Sequence, residues 1–363
     1  MFQHIQREEK ILMDQMKVTE ESSLDGVVQL LRQILQLYKE TGPQSMESLT
    51  KSYLSSAPTA ETAKDAAEGM MAQAFKIFDD AVGSVLQAFA ARQGYDLLES
   101  RNYRRRLEEG YFRVSYPAIV MYMVWLDREG QKKSIENLGK IFQSTILGVA
   151  GYMILDSNLD EQKQNPAEIL LSLSFIQEHD RLLLESFEFN IADYELLNRF
   201  KQLYLRAEIK EKRSRFKRSP YTVDHPEDCG YKAVHAYLPF ALLLQKSGKG
   251  EQIDDYLQFF YEWGAPLQIM DDIMDLEEDL KNGHYSYPTL GFEKELSSWP
   301  PGELAAFITA DMNHLKRLQL ICKGLIDSSR NRCIRLKADL MGYFVDMLEA
   351  RLDAFFSEML KGQ

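Results

Sequence analysis

Apolar residues recur along this chain at helical rather than alternating spacing in nearly every long segment. Leu24, Val27, Val28, Leu31, Ile34 and Leu35 form one stripe of an amphipathic helix across Leu24–Tyr38. After the breaker run Ser55-Ser56-Ala57-Pro58, the segment Thr62–Ala91 continues in the same style, rich in Ala, Met and Gln. The periodicity predicts further helices at about 118–128, 133–155, 166–186, 191–213, 229–247, 251–281, 302–328 and 331–360. Breakers stand at Gly110, Pro117, Pro166, Pro220, Pro226, Gly248, Gly250, Gly283, Pro288, Pro300 and Pro301. There is no repeat of fixed period, no low-complexity linker, and no Gly-rich phosphate loop, GxSxG or HExxH. The expectation is an all-α protein, a single helical domain over 61–363, with residues 1–60 as accessory helices or a loose extension.

Composition adjusts this picture only slightly. Eleven prolines in 363 residues leave room for long uninterrupted helices. A net charge of −12 argues against a general nucleic-acid binder, whose phosphate contacts need excess Lys and Arg. It leaves an anionic substrate open, because carboxylates bridged by divalent metal can bind diphosphate inside an acidic protein. The three cysteines, Cys229, Cys322 and Cys333, are dispersed without CxxC spacing, which argues against a zinc site or disulfide framework and fits a reducing compartment. The first sixteen residues carry charges through their middle, unlike a secretory signal, and the most apolar stretch, Ile146–Leu155, is too short to span a bilayer. A cytoplasmic protein without a transmembrane segment is expected.

The sharpest chemical feature is Gln268-Ile-Met-Asp271-Asp272-Ile-Met-Asp275-Leu-Glu-Glu-Asp279. On a helix, Gln268, Asp271, Asp272, Asp275 and Asp279 fall at i, i+3, i+4, i+7 and i+11, on one face. Ile269, Met270, Ile273, Met274 and Leu276 fill the remaining positions, so the helix should be buried on most sides. Like charges in such a place must be paired, protonated or metal-bound; the alternative is a solvated acidic face. A second group, Tyr152-Met-Ile-Leu-Asp156-Ser-Asn-Leu-Asp160, puts Asp156 and Asp160 one turn apart with Tyr152 a turn above. Alone, that pair reads equally well as structural. Two acidic helices facing across a cavity would hold several Mg²⁺ ions against a diphosphate, since Mg²⁺ combines one or two carboxylates with waters and phosphate oxygens.

These residues resemble the trans-isoprenyl diphosphate synthases and the terpene cyclases that share their fold. The string 264–290 is similar to that family's second aspartate motif, Gln-Ile-x-Asp-Asp-x-x-Asp, and continues through Asp279-Leu280-Lys281-Asn282-Gly283 to Pro288. Asp156-Ser157-Asn158-Leu159-Asp160 resembles the first motif, DDxxD, with Ser for the second Asp. Lys232 resembles the lysine of the Lys-Thr motif that grips the diphosphate, with Ala233 in place of Thr.

The resemblance, which runs from about residue 65 to the C-terminus, implies a helical bundle of the isoprenoid synthase type with a central cavity. It implies Asp156, Asp160, Asp271 and Asp275 as ligands of Mg²⁺, about three ions per site, with Asp272 in support. Lys232, Arg113 and Lys281 would hold the diphosphate of a prenyl substrate, while Tyr152 and Gln268 would line the cavity. Core packing is the competing reading of Tyr152. A homodimer is expected from large helical faces.

The departures bear on the reaction. Chain-elongating members bind isopentenyl diphosphate through Gly-Lys-Arg-x-Arg-Pro before the first motif; here Tyr116 precedes Pro117. They also carry an Arg pair after it, where this chain has Glu161-Gln-Lys163-Gln-Asn-Pro166. A second diphosphate needs several fixed cations, and Tyr does not supply the bidentate geometry of Arg. The expectation is therefore a terpene synthase, a lyase acting on one prenyl diphosphate. A prenyltransferase or polyprenyl diphosphate synthase is the alternative, and a catalytically silent helical partner subunit a third. The basic run Lys210–Arg218 reads as a solvated helix end, a lid contacting diphosphate, or a patch for an anionic membrane or a partner.

Overall fold

Helix α1, Leu138–Asp160, packs closely along helix α2, Pro166–Phe187, because two of its residues at the seam, Gly148 and Gly151, carry no side chain. A Cβ at Gly148 would lie 2.6 Å from the His179 ring, and one at Gly151 would lie 3.0 Å from the Ser172 carbonyl oxygen, so only glycine lets the two backbones approach this closely. A polar clasp closes each end of the seam. Near the start of α1 the Ser144 hydroxyl donates to the His179 carbonyl at 2.9 Å and meets His179 Nδ1 at 2.8 Å. At the other end Asn158 reaches Glu168. His179 is thus a buried packing residue. In the computed structural model, residues 86–96, 138–160, 165–214, 219–292 and 294–361 are described, all of their regular structure being helical. Residues 1–60, the predicted accessory region, lie outside them, as does Arg113.

The chain divides into two compact units, Met1–Glu188 and Phe189–Gln363. In the first, residues 86–92 form a helical segment whose Phe89 packs on Phe175 of α2, ring centroids 5.1 Å apart. α1 runs on through Asp160, five residues past its predicted end, which brings both acids of the first group into the helix.

The second unit contains α3 (Ile191–Ser214), a 3-10 segment (Pro226–Tyr237), α4 (Leu238–Lys246), α5 (Ile253–Met274), α6 (Leu276–Lys281), α7 (Pro301–Ala310), α8 (Met312–Leu336) and α9 (Asp339–Lys361). α5 is its centre and packs against the 3-10 segment, α8 and α9. Its aromatic face supplies Tyr256, Phe259, Phe260 and Trp263, all buried; Tyr237 stacks on Phe260 at 4.0 Å. Arg332 of α8 makes hydrogen bonds to Glu262 of α5 at 2.8 and 3.1 Å, fixing the register of that pair.

Four predicted helices are divided; in the segment 331–360 the break falls at Lys337, which is left-handed at φ 54° and separates α8 from α9. The segment 229–247 is 3-10 up to Tyr237, because Pro239 lacks the N–H that a continuous helix needs and sits in the first turn of α4 instead. The segment 302–328 breaks at Asp311, whose carboxylate caps α8 by accepting from Asn313 N and His314 N at 2.9 and 3.1 Å. The segment 251–281 bends at Asp275, between α5 and α6. Among the described residues, no helix is long and apolar enough to cross a membrane.

Candidate active site

The second acidic group straddles the α5–α6 joint. The Asp275 amide donates to the Asp271 carbonyl at 2.9 Å, and the Asp279 amide to the Asp275 carbonyl at 2.9 Å, so the acids keep one-turn spacing across the bend. Ile269, Met270, Ile273 and Leu276 are buried, so the helix is enclosed on most sides as the pattern requires, while Met274 is 58% exposed. The bend at Asp275 turns Met274 out of the packed stripe.

The acids are not equivalent. Asp272 is buried, 7% exposed, and both of its carboxylate oxygens are occupied. Gln268 Nε2 donates to Oδ1 at 2.7 Å and the Tyr287 amide donates to Oδ2 at 3.2 Å. Burial pushes the Asp272 carboxyl up to about 7; the two hydrogen bonds oppose this, and the charges of Asp271 and Glu211 add to it. Asp271 is half-buried and Asp275 exposed. Gln268, expected to line a cavity, thus steadies the buried acid. The turn 287–289 is pinned from its other side as well, where His314 Nε2 meets the Pro288 carbonyl oxygen at 2.8 Å.

Lys232 lies on the 3-10 segment with Nζ 2.7 Å from Glu211 Oε2 of α3. The same oxygen accepts from the Tyr221 hydroxyl at 3.3 Å. Burial holds the Tyr221 phenol well above its usual range, with the Glu211 charge reinforcing the effect. Lys281, by contrast, is exposed on α6 and pairs with Glu277 one turn back at 2.5 Å. In the basic run, Lys210 binds Asp228 at 2.6 Å and Lys212 approaches Glu208 at 3.6 Å, so these two cations are tied to acids of the same unit.

In the first unit Asp156 is half-buried near the end of α1; the side chain of Asp160 lies outside the described set. Between them Asn158, 1% exposed, donates to the Ile154 carbonyl at 2.9 Å and to Glu168 at 3.0 Å, and accepts from the Asn165 amide at 3.0 Å. Asn165 in turn caps α2. The last turn of α1, carrying the acids, is therefore fixed to the start of α2. Tyr152 is buried on α1, its phenol held above the usual range by burial and then by the Asp180 charge.

Sequence reasoning missed Glu211, Tyr221, Asn158 and His314. Glu211 had a legible signal, an acid inside a basic run, and Asn158 stands between two proposed ligands; Tyr221 and His314 had none. Among the described residues, no three ligating side chains converge as a preformed metal site. The oxygen-only donors Asp271 and Asp275, one turn apart and accessible, suit Mg²⁺, which draws most of its shell from water and phosphate.

No protein-family model matches the chain, and no curated protein sequence does. Among solved structures it is similar to the heptaprenyl diphosphate synthase from Staphylococcus aureus, with a TM-score of 0.54 and 13% identity, covering 77% of this chain and 98% of that one. The chain has the all-helical fold of the trans-isoprenyl diphosphate synthases.

Proposed function

We propose that the chain binds an allylic prenyl diphosphate through Mg²⁺, expels its pyrophosphate and passes the prenyl cation to an acceptor, as a prenyltransferase. The observation that carries this reading is the division of labour on α5, within a fold shared with a polyprenyl diphosphate synthase. Asp272 is anchored inside, while Asp271 and Asp275 remain accessible at the helix bend. Asp271 and Asp275, with Asp156 and Asp160, are the proposed ligands of Mg²⁺, and bound Mg²⁺ would neutralise charge developing on the leaving group. Lys232 holds diphosphate oxygens; Arg113 is carried as a further contact on the sequence resemblance alone. Lys281 is the weaker candidate, because it is exposed and Glu277 already holds it. As the C–O bond breaks, its electron pair leaves with pyrophosphate, and a double bond of the acceptor captures the allylic cation and then loses a proton. Aromatic faces stabilise such a cation by about 0.5–2 kcal/mol each; Tyr152 is the candidate carried over from the sequence.

A second reading, a one-substrate terpene synthase, draws on Tyr116 before Pro117 and on Glu161 and Lys163 where elongating enzymes carry arginines. The fold likeness favours transfer over it. The test is incubation of the full chain with Mg²⁺ and farnesyl, geranylgeranyl or longer diphosphates, with and without isopentenyl diphosphate. Longer diphosphates formed only with the co-substrate support transfer. Hydrocarbon or alcohol formed without it supports the lyase. Pyrophosphate binding without turnover under any condition supports the silent partner subunit.

A further inference from the structure

The ion pair between Glu211 and Lys232 places an acid on the cation assigned to the diphosphate. Both side chains are largely buried, Lys232 at 22% and Glu211 at 17% exposure, so the pair is shielded from bulk water. An arriving diphosphate and the Glu211 carboxylate have the same sign and compete for one ammonium group.

Three features make release of Lys232 cheap on the protein side. Glu211 keeps the Tyr221 hydroxyl at 3.3 Å on the same oxygen. Its other oxygen lies 3.9 Å from Lys212 Nζ, so losing Lys232 does not strand a buried charge. One residue earlier, Lys210 holds Asp228 at 2.6 Å, a second ion pair that ties α3 to the 3-10 segment and that diphosphate does not contest. The Lys210–Asp228 pair can keep the segment docked while the Lys232 pair opens.

We propose that Glu211 is the resident counter-ion of Lys232, and that diphosphate binds by taking Lys232 from it. Glu211 is then a residue that sets affinity: it holds the lysine in the unliganded protein and resists weak anions. The proposal rests on the reading of Lys232 as a diphosphate ligand. It goes beyond that reading by assigning an exchange partner, and the two fail separately.

The experiment is calorimetric titration of the full chain with inorganic pyrophosphate in saturating Mg²⁺, for the unaltered protein, Glu211→Gln, Lys232→Gln and the double variant. Glu211→Gln should bind pyrophosphate roughly tenfold tighter, the scale of a hydrogen bond to a charged group. Lys232→Gln should bind at least tenfold more weakly, and the gain from Glu211→Gln should vanish in the Lys232→Gln background. Weaker or unchanged binding by Glu211→Gln, beside a loss in Lys232→Gln, overturns the exchange and leaves the Lys232 reading intact. A gain that persists without Lys232 also overturns it, since that is a field effect of one fewer negative charge. Unchanged binding by Lys232→Gln removes both. Should Glu211→Gln lose its helical circular dichroism, Glu211→Asp, which keeps the charge but draws it back, must show a smaller gain of the same sign.

Discussion

Adjacent residues on a helix point about 100° apart, and that angle divides the acids of α5. Asp272 turns inward to Gln268 and the Tyr287 amide, while Asp271 stays half-open beside it. Replacing Asp271 or Asp275 with Asn should therefore cut Mg²⁺-dependent pyrophosphate release by about 100-fold or more, the scale of lost electrostatic stabilisation. Urea midpoints should scarcely move. Asp272→Asn should do the reverse in kind: the new amide oxygen can keep the Tyr287 amide, but the Gln268 amide must flip to accept from the new N–H₂, a cost of about 1–3 kcal/mol in a urea titration. The row of acids on one face was legible in the residues themselves. Which acid faces inward was not, because it depends on where the 287–289 turn returns in space, and no local pattern encodes that.

His314 guards the far side of the same turn and gives a pH signature. Burial lowers its pKa, outweighing its hydrogen bond to the Pro288 carbonyl. The folded protein therefore binds fewer protons at this ring than the unfolded chain just below pH 6.5, and stability falls as pH drops through that window. His314→Gln should flatten this part of the dependence of the melting temperature on pH between about 5 and 7. An unchanged slope would exclude His314 as its source.

At the scale of elements, the 3.6-residue period located nearly every described helix, and the errors fall where backbone chemistry overrides it. Pro239 and Asp311 cut predicted helices because a missing N–H and a capping carboxylate act over a few residues, inside windows whose apolar spacing is still helical. The extension of α1 to Asp160 has the opposite origin. Asn158 is polar but buried, so a hydropathy pattern ends the helix where a hydrogen-bond clasp continues it. Gly230 tests how the 3-10 segment is seated. A Cβ there would lie 2.5 Å from the Tyr261 carbonyl oxygen and 2.9 Å from its Cα, both backbone atoms of α5 that cannot swing away. Gly230→Ala should lower stability by about 1–3 kcal/mol. By shifting the segment that carries Lys232, it should also weaken pyrophosphate binding. Calorimetry at a temperature where the variant remains folded separates the two effects, and a destabilised variant with native affinity would show that Lys232 does not depend on this seat.

For the whole molecule, helical class and fold type were readable because periodicity is a long-range average, robust to local mistakes, and because the string 264–290 is dense in constrained positions. The reaction was less readable. On the proposed reading, choice of acceptor would depend on cations and on apolar residues that are scattered along the chain without spacing. Ligand-linked stability reaches the chemistry without knowledge of the acceptor. If the acids bind Mg²⁺ and Mg²⁺ binds diphosphate, neither ligand alone should stabilise the fold as much as the two together. At about 100 times its dissociation constant, pyrophosphate in saturating Mg²⁺ contributes about 2.7 kcal/mol. That raises the melting temperature by about 3–4 °C in a chain of this size. Asp271→Asn should abolish the shift, Asp156→Asn should reduce it, and a chelator should return the unaltered protein to its ligand-free melt. Calcium in place of magnesium should stabilise less, because its longer, irregular coordination fits two carboxylates and a diphosphate less tightly. A melt indifferent to both ligands would remove the metal reading for both acidic groups, whatever product assay is tried.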